Sequence, residues 1–171
     1  SKLWFMFSTP ILSNGGTKRG LPISCFLNYV DDSRTGITSH YTENAFLSSV
    51  GGGIGGSWDG VRSVGSKTSN GSESTGVIPF LKVVDAEMLA FSQGVTRRGS
   101  YAAYLDIGHP EIEEFLDIRK PTGGDINRKS INLHHGVVIS DKFMEIIENA
   151  TRIEGFDDSW DLIDPNSKRV T

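Results

Sequence analysis

Between Ile23 and Val30 the chain reads Ile-Ser-Cys-Phe-Leu-Asn-Tyr-Val, β-branched and aromatic enough to predict a buried strand ending at the Asp31-Asp32-Ser33 turn. From Thr38 to Val50 the apolar residues Tyr41, Ala45 and Phe46 recur with helical spacing until Gly51 stops them, which predicts a helix. The run Gly51 to Gly56 follows, then a short strand around Val61. Residues 63–76 are almost devoid of apolar side chains and predict an exposed loop, long enough to suggest a binding role. Val77, Phe80, Leu81, Val84, Met88 and Phe91 then form a helical stripe with Lys82, Asp85 and Glu87 off it, the best-defined helix in the chain. A strand is predicted from Tyr101 to Ile107, and Pro110 stands at a first helical position ahead of an acidic turn. Leu133 to Ile139 reads as a further strand, and Ser140 caps a helix from Asp141 to Ala150 whose apolar face is Phe143, Ile146, Ile147 and Ala150. Strands alternating with helices predict an α/β layer or barrel with mostly parallel strands, a single domain over 1–171 without internal repeats.

Composition adds three constraints. Twenty glycines in 171 residues are a clear excess, clustered without collagen's period, so local backbone requirements must explain them. Seventeen basic and 21 acidic residues leave a net charge of −4, which argues against a basic nucleic-acid surface. The lone Cys25 excludes an intramolecular disulfide, so two-thiol redox chemistry needs a second sulfur from elsewhere. No run approaches a membrane span, and the opening residues are too short for a signal sequence, so the cytoplasm and no membrane partner are expected. Both ends, Trp4-Phe5-Met6-Phe7 and Lys168-Arg169-Val170-Thr171, read as cut rather than finished.

Several motifs compete with blander readings. Gly51, Gly53 and Gly56 satisfy a dinucleotide-binding spacing, but a helix precedes and a strand follows, the reverse of what pyrophosphate binding requires. Close approach of backbone to another segment or to a ligand's sugar accounts for them better. Gly65-Ser66-Lys67 has the wrong order for a phosphate loop. His40, His109, His134 and His135 lack metal-ligand spacing, and adjacent strand positions turn His134 and His135 to opposite faces, so no metal site is expected. Arg97-Arg98 between glycines is either a solvated turn or a loop placing guanidinium donors near a phosphate or base, and Arg62 could serve a second phosphate. Cys25 reads by default as a small core residue, weakened by the hydroxyls of Ser24 and the Thr9-Pro10 turn.

Five segments in order carry a family resemblance: Ser8-Thr9-Pro10-Ile11-Leu12 with Ser24-Cys25-Phe26-Leu27, Gly52-Gly53-Ile54-Gly55 with Val61-Arg62, Thr75-Gly76-Val77-Ile78-Pro79-Phe80, Ser92-Gln93-Gly94 to Gly99, and Tyr104-Leu105 through His109 and Glu111 to Asp117. Over residues 8–145 the chain resembles the catalytic large subunit of ribonucleotide reductase. The resemblance implies a ten-stranded α/β barrel, of which this chain is the first part. It implies that Cys25 is the redox cysteine on the first barrel strand, that Thr9 and Ser24 are substrate-binding positions, and that Gly53 packs close to the ribose. It assigns Asp32, Ser33, Arg34 and Arg62, with the Ser66 to Ser72 loop and so Ser69, to an allosteric specificity site for a deoxynucleoside triphosphate or ATP near a dimer interface. Gln93, Arg97 and Arg98 fall in the loop that reports the effector to the substrate base.

The family's radical-bearing cysteine, the partner of Cys25 and the second-half phosphate loop have no counterpart in these residues. The resemblance therefore implies a fragment inactive by itself, binding no cofactor of its own. The whole enzyme would need a dithiol reductant and a radical source, either a metal-containing small subunit or adenosylcobalamin. The rest of the large subunit and a second copy of the chain are the other implied partners. Two alternatives stand beside this reading: a nucleotide-binding regulatory module without redox role, and an unrelated α/β enzyme using Cys25 as nucleophile, which lacks a nearby general base.

Overall fold

A computed structural model describes residues 2, 4–18, 21–91 and 99–170 and contains one sheet of four strands, β1 (Cys25–Tyr29), β2 (Gly53–Ser57), β3 (Ser100–Asp106) and β4 (His134–Val138). All neighbours are parallel and the spatial order follows the chain, with Cys25 beside Gly53, Gly53 beside Ser100, and Ala102 beside His134. Parallel neighbours require crossovers, and helices supply them: α2 (Arg34–Ser49) between β1 and β2, α3 (Val77–Ala90) between β2 and β3, and the short α4 (Ile112–Leu116) between β3 and β4. The helix α1 (Thr9–Asn14) precedes the sheet and α5 (Asp141–Arg152) follows it, the latter capped by Ser140, whose Oγ accepts from Phe143 N.

One face of the sheet meets the helices. Ile54, Tyr101, Ala103 and Leu105 point into that side and pack with Leu81, Val84, Met88, Phe115 and the fully buried Trp58. The opposite face, carrying Cys25, Leu27, Tyr29 and Tyr104, is open, and Leu27 is 85% exposed. A parallel sheet normally has both faces covered, so an unclosed sheet with one apolar face bare is what part of a barrel leaves. The α/β expectation and the partial barrel therefore stand.

Four sequence expectations need correcting. β1 is not a buried strand: it is the edge of the sheet and its side chains alternate between half-buried and exposed. The second strand lies within the glycine run, not after it around Val61. Packing requires the glycine at Gly56, because a Cβ there would stand 1.8 Å from Tyr101 Oη, whereas a Cβ on Gly55 would meet only the movable end of the exposed Leu27 side chain at 2.7 Å. The helix expected from Thr38 begins at Arg34, and its buried stripe is Ile37, His40, Asn44 and Ser48, whereas Phe46 is 71% exposed. Two polar members of this stripe meet polar neighbours: Asn44 accepts from Asn28, and His40 Nε2 lies 2.8 Å from Tyr101 Oη. Residues 63–76 are not wholly exposed, since Ser63 and Ser66 are buried. Smaller shifts affect Pro110, which precedes α4 by two residues, and Asp85, which is buried and accepts from the backbone of Asn132 and Leu133.

Candidate functional site

The carboxyl ends of β1 and β2 open into a cavity of about 610 Å³, the position at which open α/β sheets hold ligands. One wall is the first two turns of α2. Val30 leaves β1, the chain turns through Asp31 and Asp32, and Ser33 takes the extended conformation of an N-cap, its Oγ accepting from Gly36 N at 2.9 Å. Gly36 is obligatory here, because a Cβ would come within 2.7 Å of Asp31. Ser33, Arg34, Ile37, Thr38 and Tyr41 then face the cavity from one side of the helix, whose amino end favours an anion.

The second wall is the segment from Arg62 to Thr75. It folds into a small hairpin in which Lys67 pairs antiparallel with Glu73, Ser74 N donates to Ser66 O at 2.8 Å, and Gly71 turns the tip at a positive φ of 82°. The Lys67 ammonium hydrogen-bonds Glu73 at 2.8 Å and holds that carboxyl below its ordinary range. Thr68, Asn70 and Ser72 close the tip through mutual hydrogen bonds, and Ser69 beside them also lines the cavity.

Arg62 joins the two walls. Its Nε donates to both oxygens of Asp32, at 2.9 and 3.1 Å, and Nη1 donates to Lys67 O at 2.6 Å. Both charged side chains are only 18% exposed, so the pair is held in a low-dielectric wall rather than free in water. A guanidinium has five N–H donors, and three of those on Arg62 have no partner among the described residues. Arg34, exposed at the rim, likewise has no ion pair among the described residues. Ile37, Val61, Tyr41 and Phe80 give the cavity an apolar side, and Tyr41 Oη donates to Phe80 O at 3.2 Å. Burial pushes the Tyr41 phenol up, helped by the nearby Glu87 charge, so it remains a neutral donor. Cationic forks, hydroxyls and a helix amino end beside an aromatic surface suit a ligand with a phosphate and a flat ring.

A second group lies at the amino end of the same strands. Cys25 is exposed at the start of β1, Gly53 is its neighbour on β2, and Gly53 N donates to Ser24 O at 2.6 Å. A Cβ on Gly53 would stand 3.3 Å from Ser100 Oγ, so hydroxyl and thiol line one strip across three strands. Cys25 is thus not the small core residue of the default reading. Thr9 is exposed in α1, and no described contact joins it to this strip.

Asp32, Ser33, Arg34, Arg62 and Ser69 therefore come together around one cavity, while Ser24, Cys25 and Gly53 come together at the other end of β1. Gln93, Arg97 and Arg98 lie outside the described residues. Sequence reasoning missed Ile37, Thr38, Tyr41 and Phe80 on the cavity wall. Starting α2 at the Ser33 cap would have put the first three on one helix face. Among the described residues no group of His, Cys, Asp and Glu could hold a metal ion, and no helix is long and apolar enough to cross a membrane.

Comparison with known proteins adds the following. Residues 23–171 match the family described as ribonucleotide reductase, barrel domain. The chain is 47% identical over 171 residues to the ribonucleoside-diphosphate reductase large subunit of Invertebrate iridescent virus 6, covering all of this chain and 17% of that protein. It is 50% identical over 147 residues to the corresponding large subunit of Invertebrate iridescent virus 3, covering 86% of this chain and 22% of that one. Among solved structures it is similar to the class Id ribonucleotide reductase alpha subunit of Actinobacillus ureae, with a TM-score of 0.70 and 33% identity over 84% of this chain and 25% of that chain. The chain thus spans about a quarter or less of the length of these relatives.

Proposed function

Because the chain belongs to the ribonucleotide reductase large-subunit family, we propose that it contributes to the catalytic barrel of a ribonucleoside-diphosphate reductase and that its 610 Å³ cavity receives a nucleoside triphosphate effector. The observation that carries the effector reading is Arg62, fixed by Asp32 and Lys67 O in the cavity wall with three N–H donors left over. A guanidinium held in one orientation recognises phosphate oxygens at little entropic cost. Asp32, already neutralised by Arg62, sits where a ribose hydroxyl could donate to it, and the α2 amino end supports the phosphate charge. Tyr41 and Phe80 offer the base an apolar surface.

In the whole enzyme the proposed reaction replaces a ribonucleotide 2′-hydroxyl by hydrogen, the hydroxyl leaving as water. Two thiols supply the two electrons and end as a disulfide. Cys25 would be one of them, with Ser24, Gly53 and Thr9 on the substrate side, and the other thiol must come from outside these residues. A radical source and a dithiol reductant belong to the whole enzyme. The remaining large subunit, a second copy meeting this one through α2 and α3, and a small subunit are the proposed partners. Gln93, Arg97 and Arg98 would carry the effector's identity to the substrate base.

A second reading, a binding module without redox role, is favoured by one observation: both walls of the cavity come from this chain, whereas the thiol strip has a single sulfur. Turnover separates the two. The chain alone, supplied with dithiol and any radical source, should form no deoxynucleotide under either reading. Combined with the rest of a large subunit it should turn over only under the first. Equilibrium dialysis against deoxynucleoside triphosphates tests the cavity: Arg62→Ala should weaken binding about tenfold or more, and Cys25→Ala should leave it unchanged. Equal affinity for Arg62→Ala and the unaltered protein would remove the effector reading.

A further inference from the structure

The hairpin that walls the cavity is anchored by a residue that never reaches it. Asp164 lies about a hundred positions further along the chain, is fully buried, and does not line the cavity. Its Oδ2 accepts three hydrogen bonds from the root of the hairpin: Ser63 N at 2.7 Å, Ser63 Oγ at 2.7 Å and Ser66 Oγ at 2.8 Å. Its Oδ1 accepts from Asn166 N, Ser167 N and Ser167 Oγ at 2.6 to 3.1 Å, which folds residues 164–168 into a tight turn. That turn sets Asn166 Nδ2 3.3 Å from Asp32 Oδ2, on the Arg62 ion pair itself. Six donors on one buried carboxylate exceed what a filler residue requires. Burial opposes ionisation of Asp164, but the hydrogen bonds from Ser63, Ser167 and Ser66 outweigh it and hold the carboxyl well below its ordinary range.

The geometry continues from the root to the ligand wall. Ser66 O accepts from Ser74 N, Ser74 lines the cavity, and the next residue, Lys67, offers its carbonyl to Arg62 Nη1. Moving Ser66 therefore moves both the hydroxyl wall and the orientation of the guanidinium.

We propose that Asp164 is a positioning residue for the cavity: through Ser63 and Ser66 it holds the 62–75 hairpin at the spacing from α2 that admits a nucleoside triphosphate, without touching the ligand. The inference rests on the reading of the cavity as a nucleotide site. Asparagine in its place has one carbonyl oxygen and one amide nitrogen, so either Ser63 N or the backbone donors of the 164–168 turn would face an N–H.

The test uses the whole polypeptide that carries these residues, with dTTP as probe. Affinity and ligand-free melting temperature are measured for Asp164→Asn, Ser66→Ala and the double variant. The expected results are an affinity about tenfold weaker for Asp164→Asn and severalfold weaker for Ser66→Ala, with the double variant no weaker than Asp164→Asn alone. A residue that only stabilised the fold would lower the melting temperature and leave dTTP affinity of the folded protein unchanged, or give losses that add; either result overturns the proposal. Should Asp164→Asn fail to fold, Ser66→Ala and Ser63→Ala decide, and unaltered dTTP affinity in both overturns it. If the unsubstituted protein binds none of the deoxynucleoside triphosphates, the nucleotide reading fails and takes this inference with it. Binding by the unsubstituted protein with no change in the variants sinks this inference alone.

Discussion

Replacing Gly56 by alanine is the sharpest perturbation of the packing that positions both ends of β1. The added methyl would lie 1.8 Å from Tyr101 Oη, 2.7 Å from Tyr101 Cζ and 3.2 Å from Asn28 Oδ1. Tyr101 cannot yield cheaply. Its ring is buried in β3, its hydroxyl accepts from Trp58 Nε1 at 2.9 Å, and the same oxygen is 2.8 Å from His40 Nε2. Swinging the ring clear would leave the Trp58 and His40 nitrogens without that partner inside the core. Overpacking costs about 1–3 kcal/mol and each orphaned buried group about 1–3 kcal/mol, so Gly56→Ala should destabilise by at least about 3 kcal/mol. Urea unfolding followed by tryptophan fluorescence measures it. Tyr101→Phe takes away the nearest clash but itself leaves the Trp58 and His40 nitrogens without their partner, so the cost of Gly56→Ala measured in a Tyr101→Phe background should be at least about 1 kcal/mol smaller than in the unsubstituted protein. A Gly56→Ala midpoint equal to that of the unsubstituted protein, or the same cost of Gly56→Ala in both backgrounds, would refute the clash with Tyr101 as the reason for a glycine here.

Further outcomes follow from other buried groups. Gly76 adopts a φ of 83°, and a Cβ there would stand 2.2 Å from the buried Glu111 carboxylate, which accepts from Val64 N and Val77 N. Gly76→Ala should therefore cost at least about 2 kcal/mol in denaturant unfolding and weaken triphosphate binding in parallel. Burial pushes His40 down to about 4, against 6.5 when unfolded. The unfolded chain then binds the extra proton between these values, so stability contributed by neutral His40 is complete above pH 6.5 and is lost as pH falls towards 4, by roughly 3 kcal/mol at most. Comparing urea midpoints near pH 7 and near pH 4.5, His40→Gln should show a smaller acid-induced drop than the unsubstituted protein. An identical drop would contradict the assignment.

What could be seen in the sequence divides along local and distant causes. α3 and β3 were legible because Leu81, Val84 and Met88, and the alternating Tyr101, Ala103 and Leu105, present apolar faces with regular periods. β2 was not, because a strand of Gly-Ile-Gly-Gly-Ser carries little β propensity, and the glycine at Gly56 is dictated by Tyr101 on the neighbouring strand. The buried side of α2 was misjudged because His40 and Asn44 meet polar partners on other elements, which hydrophobic periodicity cannot register. Arg62 and the Asp32-Ser33-Arg34 turn came from family resemblance, and their meeting in one cavity required the fold. Asp164 had no signal at all, since its partners Ser63 and Ser66 are about a hundred residues away.

The cavity between α2 and the 62–75 hairpin is proposed to hold a nucleoside triphosphate on Arg62. A crystal structure of the whole large subunit with dTTP addresses it directly. The triphosphate is expected inside the 610 Å³ cavity, with phosphate oxygens on the Arg62 guanidinium and near Ser69, and the Asp32 pair retained. Density for dTTP at another surface with this cavity empty would contradict it.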